Sequence, residues 1–158
     1  MTDPTLVIRR YDARTDLTNL STIWFDASLI AHPFMGRGRL TEQRRLIEDV
    51  YLPSAETWVV CIGGEPAGFI SLLGTVVGGL FVAPDRQGHG IGRALIDHAL
   101  SLTGELTLEV YTANTRAMRF YEDLGFQERA RRDVDDLGLP FPNVTMSLTA
   151  KDRVAKTK

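Results

Sequence analysis

Residues 57–82 constrain this chain more than any other stretch. They hold three apolar runs, 57–62, 67–73 and 75–82. The turn Gly63-Gly64-Glu65-Pro66 separates the first two runs, and Gly74 separates the second from the third. Connections this short join antiparallel neighbours, so the segment predicts a three-strand meander. Past Pro84 the period becomes helical, with Ile91, Ala94, Leu95, Ala99 and Leu102 on one face. A meander that leads straight into a strand–loop–helix unit does not fit the strict βα alternation of a doubly wound sheet.

The flanking sequence completes an α/β chain with a mixed sheet. Residues 6–10 predict a strand. Residues 16–31 predict a helix with Leu17, Leu20, Ile23, Trp24, Ala27 and Ile30 on or near one face. Pro33, Gly36 and Gly38 break it, and a second helix is expected over 41–52, ending before Pro53. A helix over 90–102 and a strand over 106–111 come next. Then Asn114 caps a helix over 115–124 and Gly125 stops it. Residues 126–132 and 144–148 read as closing strands. The order is β-α-α-β-β-β-α-β-α-β-β. Residues 1–150 are expected to form a single domain, with 151–158 a frayed polar tail.

Composition narrows the function. With 158 residues, 44% of them hydrophobic, the chain is large enough for a core without disulfides or metals. Its one cysteine, Cys61, lies in an apolar run and reads as structural. The net charge of −2 argues against a dedicated nucleic-acid binder. The basic residues Arg129, Arg131 and Arg132 are balanced by Asp133, Asp135 and Asp136. Residues 1–4 show no leader pattern, and no apolar run approaches the ~20 residues of a membrane span. No membrane partner and a cytoplasmic location are the expectations.

The chemistry concentrates in residues 80–95. A strand ending Leu80-Phe81-Val82 leads into Gln87-Gly88-His89-Gly90-Ile91-Gly92-Arg93 and then a helix. Alternating glycines let the backbone take positive φ and approach a ligand closely. The first N–H groups of a helix lack internal partners and carry the positive end of its dipole, so they bind phosphate. Arg86 and Arg93 add positive charge at the rim. The dinucleotide fingerprint fails, because the sixth position from Gly88 is Arg93. The P-loop ending Gly-Lys-Ser/Thr is missing too.

Gln87-x-x-Gly90-x-Gly92, following Val82-x-Pro84, resembles the Gln/Arg-x-x-Gly-x-Gly/Ala signature of the GNAT acetyltransferase superfamily. Asn114, Ala117, Phe120-Tyr121 and Leu124-Gly125-Phe126 are similar to that family's downstream segment. Residues 134–142, with their Asp-Asp-Leu-Gly and alternating prolines, resemble a bacterial subgroup of poorly defined acceptors. The resemblance implies the GNAT fold: a mostly antiparallel sheet, splayed between its fourth and fifth strands and flanked by helices. It implies an N-acetyltransferase that moves acetyl from acetyl-CoA to a primary amine by direct attack in a ternary complex, with no metal.

By this resemblance Leu80, Phe81 and Val82 hold the pantetheine arm and the thioester carbonyl. The loop Gln87 to Arg93 holds the pyrophosphate. Asn114 contacts the arm, and Tyr121 donates to the leaving sulfur. Gly78-Gly79 reads either as a bulge that splays the strand or as a turn that shortens it. The base is open, because residues 72–82 contain no acid. Asp26, His32, Glu109, Asp135, Asp136 and a water relay are candidates. Trp24, His32 and Asp135 are the candidate acceptor-binding residues. The acceptor is expected to be a small-molecule or peptide amine, and the protein a monomer or homodimer. Competing readings are a noncatalytic acyl-CoA sensor and a tRNA-directed GNAT toxin, the latter disfavoured by the charge.

Overall fold

A computed structural model describes residues 5–157; residues 1–4, where the leader was sought, and Lys158 lie outside the described residues. The strands are β1 (Leu6–Arg10), β2 (Glu56–Ile62), β3 (Glu65–Leu73), β4 (Val76–Val82), β5 (Glu105–Tyr111), β6 (Gln127–Arg132) and β7 (Asn143–Thr149). The helices are α1 (Ala13–Ala31), α2 (Arg37–Leu46), α3 (Leu52–Ser54), α4 (Ile91–Thr103), α5 (Thr115–Leu124) and α6 (Ala150–Thr157). The seven strands are hydrogen-bonded in the order β1-β2-β3-β4-β5-β7-β6. The sheet is mostly antiparallel, with β4 and β5 its parallel pair. This is the mixed sheet that the meander and the crossover predicted.

The chain divides into two compact units. The first takes residues up to Leu73 together with Gly78–Asp97. Here β1 and β2 pair from Leu6–Ile62 to Arg10–Trp58, and β2 and β3 pair with a register slip at Val60/Cys61. Helix α1 lies against β3. Leu20, Leu40, Val59, Phe69, Ile70 and Leu95 are fully buried. Helix α1 starts at Ala13, earlier than expected, because Asp12 caps it by accepting the Arg14 N–H at 3.0 Å. Asp16 has a different task. Its buried carboxylate takes two bonds from Arg9 of β1, at 2.7 and 2.8 Å, and one from the Asp12 N–H at 2.8 Å.

The second helix also differs from its sequence reading. Gly36, at φ 80°, separates it from the 3-10 turn Pro33–Met35, but Gly38 lies inside it. The helix does not stop before Pro53. It widens into a π turn over Ile47–Tyr51 and continues through Leu52–Ser54. A widened turn accommodates a proline ring and its missing N–H, which a regular helix interior does not.

The second unit takes Gly74–Val77 and the residues from His98 onward. β5 and β7 pair along their full length, Glu105–Thr149 to Tyr111–Asn143. β6 pairs with β7 and is exposed throughout, as its sequence Gln-Glu-Arg-Ala-Arg-Arg requires. Charged side chains on such an edge oppose pairing with other chains. The parallel β4–β5 ladder has two pairs, Val76–Thr107 and Val77–Leu108, and stops there. β4 itself runs on through Gly78 and Gly79, so the glycines do not act as a turn. The C-terminal residues, expected to fray, form α6, with Thr149 Oγ1 accepting the Asp152 N–H at 3.1 Å.

Candidate functional site

The glycine loop is built for close backbone approach. Gly88 and Gly90 take φ of 85° and 77°, a left-handed conformation that other residues adopt only with strain. A Cβ at either position would meet nothing within 4 Å, so the loop faces open space. The first helical bond of α4 runs from the Ala94 N–H to Gly90 O at 3.0 Å. The N–H groups of Ile91, Gly92 and Arg93 therefore have no partner one turn back. Gln87 Nε2 reaches back to Val82 O at 3.3 Å and ties the loop to its strand. Arg86, Arg93 and His89 stand around the loop, His89 and Arg93 exposed. Neither arginine has a carboxylate partner among the described residues.

The strand before the loop is held by tight packing. Leu80, Phe81 and Val82 are half-buried. The Phe81 ring lies 5.5 Å from Phe69 and edge-on to Trp24 at 6.3 Å. Trp24 is buried, and its ring packs behind β4. The sequence reading missed Gly68. A Cβ there would sit 2.9 Å from Phe81 O and 3.2 Å from Ile91 Cγ2. Its absence sets how closely β3 approaches both β4 and the start of α4. A glycine inside a strand is the signal that pointed there. Ala83 N–H to Ala67 O, at 2.8 Å, fixes the same approach one residue on.

His32 ends α1, where its N–H bonds Ser28 O at 2.8 Å. Its ring lies 5.6 Å from Phe34. Burial lowers its pKa to about 4, so the imidazole is neutral at pH 7 and a weak base. Asp26 is exposed on α1.

In the second unit, Asn114 performs the capping task its sequence position implied. Its Oδ1 accepts the Ala117 N–H at 3.1 Å. Tyr121 is half-buried, and burial pushes its phenol pKa upward, which keeps the proton on oxygen. Although Phe120 and Tyr121 are adjacent on α5, their rings meet edge-on at 5.2 Å, and Phe126 packs at 5.3 Å. Among the described residues the Tyr121 hydroxyl has no hydrogen-bond partner.

The three acidic base candidates on this unit are each engaged by neighbours. Glu109 pairs with Arg132 at 2.9 Å, and Asp136 holds the same guanidinium at 2.9 Å. Asp135 is buried. Its Oδ1 accepts the N–H groups of Leu137 and Leu139, and its Oδ2 accepts the Tyr111 hydroxyl at 3.0 Å. Asn143 Nδ2 completes the staple by donating to Val134 O and Phe141 O. Asp135 thus shapes the β6–β7 loop, a role that sequence spacing did not show. Tyr111 and Asn143 carried no sequence signal for it.

The donor set suits a CoA ester. Outward N–H groups at a helix start, an open glycine cradle and two cationic side chains match a pyrophosphate in shape and charge. No group of three His, Cys, Asp or Glu among the described residues is placed to hold a metal.

Known proteins agree with this geometry. Residues 53–128 match the acetyltransferase (GNAT) domain family. The peptidyl-lysine N-acetyltransferase YjaB of Salmonella typhimurium is 41% identical over 124 residues, covering 78% of this chain and 85% of that protein. The protein of that name in Escherichia coli is 39% identical over 129 residues, covering 81% and 87%. The solution structure of apo-form YjaB from Escherichia coli superposes with a TM-score of 0.83 at 36% identity, over 90% of this chain and 97% of that one. With a glycine cradle at the start of α4 and relatives matched over most of their length, the chain belongs to the GNAT family and is an N-acetyltransferase that uses acetyl-CoA.

Proposed function

We propose that the acceptor is the ε-amino group of a lysine in a peptide or protein of the cytoplasm. The relatives named as peptidyl-lysine N-acetyltransferases, matched over more than four fifths of their length, carry this reading. The acetyl thioester of acetyl-CoA supplies the activated carbonyl for direct attack in a ternary complex. Ile91, Gly92 and Arg93 N–H groups, with Arg86, would hold its pyrophosphate. Backbone N–H groups of Leu80 or Phe81 would polarise the carbonyl, a contribution of about 2.7–4 kcal/mol per donor in comparable sites. Asn114 would contact the pantetheine arm.

Tyr121 is the proton donor to the leaving sulfur in this reading. Its raised pKa keeps it protonated, and its hydroxyl is not engaged elsewhere among the described residues. The amine must first lose a proton, since about 0.04% of a lysine side chain is neutral at pH 7. Glu109 and Asp135 are taken up by Arg132 and by the β6–β7 loop, and His32 is a weak base. Asp26 is exposed to solvent on α1, and proton loss to water, aided by desolvation of the amine, is the proposed route.

Free-thiol release from acetyl-CoA with single-lysine peptides, N-terminal amines, polyamines and aminoglycosides tests the reading. Lysyl peptides are expected to turn over, and Tyr121→Phe to lower kcat by about 100-fold or more with acetyl-CoA affinity retained. Binding of acetyl-CoA without transfer to any amine would instead indicate a sensor.

A further inference from the structure

Helix α2 carries charge that its own stability does not require. Its ten residues include four arginines, Arg37, Arg39, Arg44 and Arg45, and one acid, Glu42. Leu40 is its buried residue. Arg37 and Arg39 stand in the first turn, where the helix dipole disfavours cations, and no acid stands there to offset them. Two of the three exposed arginines of β6 are arranged otherwise, while Arg129 donates to Ser147 Oγ. Arg131 is paired with Glu128, and Arg132 with Glu109 and Asp136. On α2, Arg37 and Arg45 have no carboxylate partner among the described residues.

The helix also holds its cations in place. Arg44 donates to Ser21 Oγ at 2.8 Å and Thr22 Oγ1 at 3.2 Å, and lies 3.6 Å from Glu48. Arg37 and Arg44 both sit over the buried Phe25 ring, their guanidinium carbons 5.4 and 5.1 Å from its centroid. Held against that aromatic face, the Arg37 guanidinium keeps its N–H edges for a carboxylate, whereas those of Arg44 are spent on Ser21 and Thr22.

We propose that the arginine face of α2 docks an acidic segment of the acceptor protein, and so favours lysines with aspartate or glutamate nearby. This rests on the lysyl-acceptor reading above. Charge complementarity selects the occupant. A ten-residue basic helix on a protein of net charge −2 neutralises few phosphates, so an acidic peptide fits better than a nucleic acid.

The test uses the full-length enzyme and single-lysine peptides that differ only in flanks of glutamate, glutamine or arginine. At low ionic strength the glutamate peptide is expected to show a kcat/KM about tenfold above the glutamine peptide. The difference should shrink as salt rises. In R37E/R45E the preference should vanish, while KM for acetyl-CoA and turnover of the glutamine peptide stay within about twofold of wild type. R45E alone serves if the double variant does not fold, with a partial loss expected. Equal kinetics for all three flanks in the wild type, or preference for arginine flanks, overturns the docking proposal alone. Oligonucleotide binding lost in R37E/R45E, without any peptide preference, overturns it in favour of a nucleic acid. If no lysyl peptide is acetylated while another amine is, the lysyl reading fails and the docking proposal falls with it.

Discussion

Replacing Gly68 by alanine puts a methyl group into the close backbone approach between β3 and β4. The new Cβ would lie 2.9 Å from Phe81 O, 3.2 Å from Ile91 Cγ2 and 3.4 Å from Val60 Cγ1. Carbon–oxygen contacts normally settle at about 3.3 Å or more, so β4 must retreat by a few tenths of an ångström. Two features resist that movement. The Ala83–Ala67 hydrogen bond of 2.8 Å pins the chain just beyond, and Phe81 is held between Phe69 and Trp24. Overpacking of this kind costs about 1–3 kcal/mol. Removing a glycine from the unfolded chain returns about 0.4–1 kcal/mol, which is smaller. A net loss of about 1–2 kcal/mol lowers the Tm of a chain this size by about 2–8 °C.

Urea unfolding of Gly68→Ala gives the stability, and calorimetry gives acetyl-CoA affinity, which should weaken because the Phe81 backbone is displaced. Gly38→Ala is the control. It lies inside α2 with no positive φ, and its Cβ would meet nothing within 4 Å. It should stabilise by about 0.5–1 kcal/mol. A Gly68→Ala protein as stable as wild type, with unchanged acetyl-CoA affinity, would refute the claim that this contact positions β4.

Gly90→Ala forces a side chain into φ 77°, a strain of about 1–2 kcal/mol that the free loop sheds by shifting and that acetyl-CoA binding must restore. Acetyl-CoA affinity should drop by about 5- to 30-fold in calorimetry, and full affinity would move the pyrophosphate away from this loop. His32 has a folded pKa of about 4 against an ordinary 6.5, so the unfolded chain binds more protons between these values. Its contribution to stability is present above pH 6.5 and is lost as pH falls toward 4. Between pH 7 and pH 5 the loss is at most about 2 kcal/mol, and chemical denaturation of His32→Phe should lack that part of the pH dependence.

Sequence alone determined the order of elements and pointed to the proposed cofactor loop, for local reasons. Apolar period, glycine turns and the caps at Asn114 and Gly125 act within a few residues, and the strand–glycine–helix pattern carries its phosphate chemistry in its own backbone. Features that rest on partners distant in sequence were not legible. Gly68 matters because Phe81 and Ile91 come against it, and Asp135 because Tyr111 and the Leu137 and Leu139 N–H groups converge on it. The Arg132 partner of Glu109 and the buried ring of His32 likewise come from segments that the local pattern does not connect. The tertiary structure alone decided these roles, because burial and charge pairing depend on which segments are brought together.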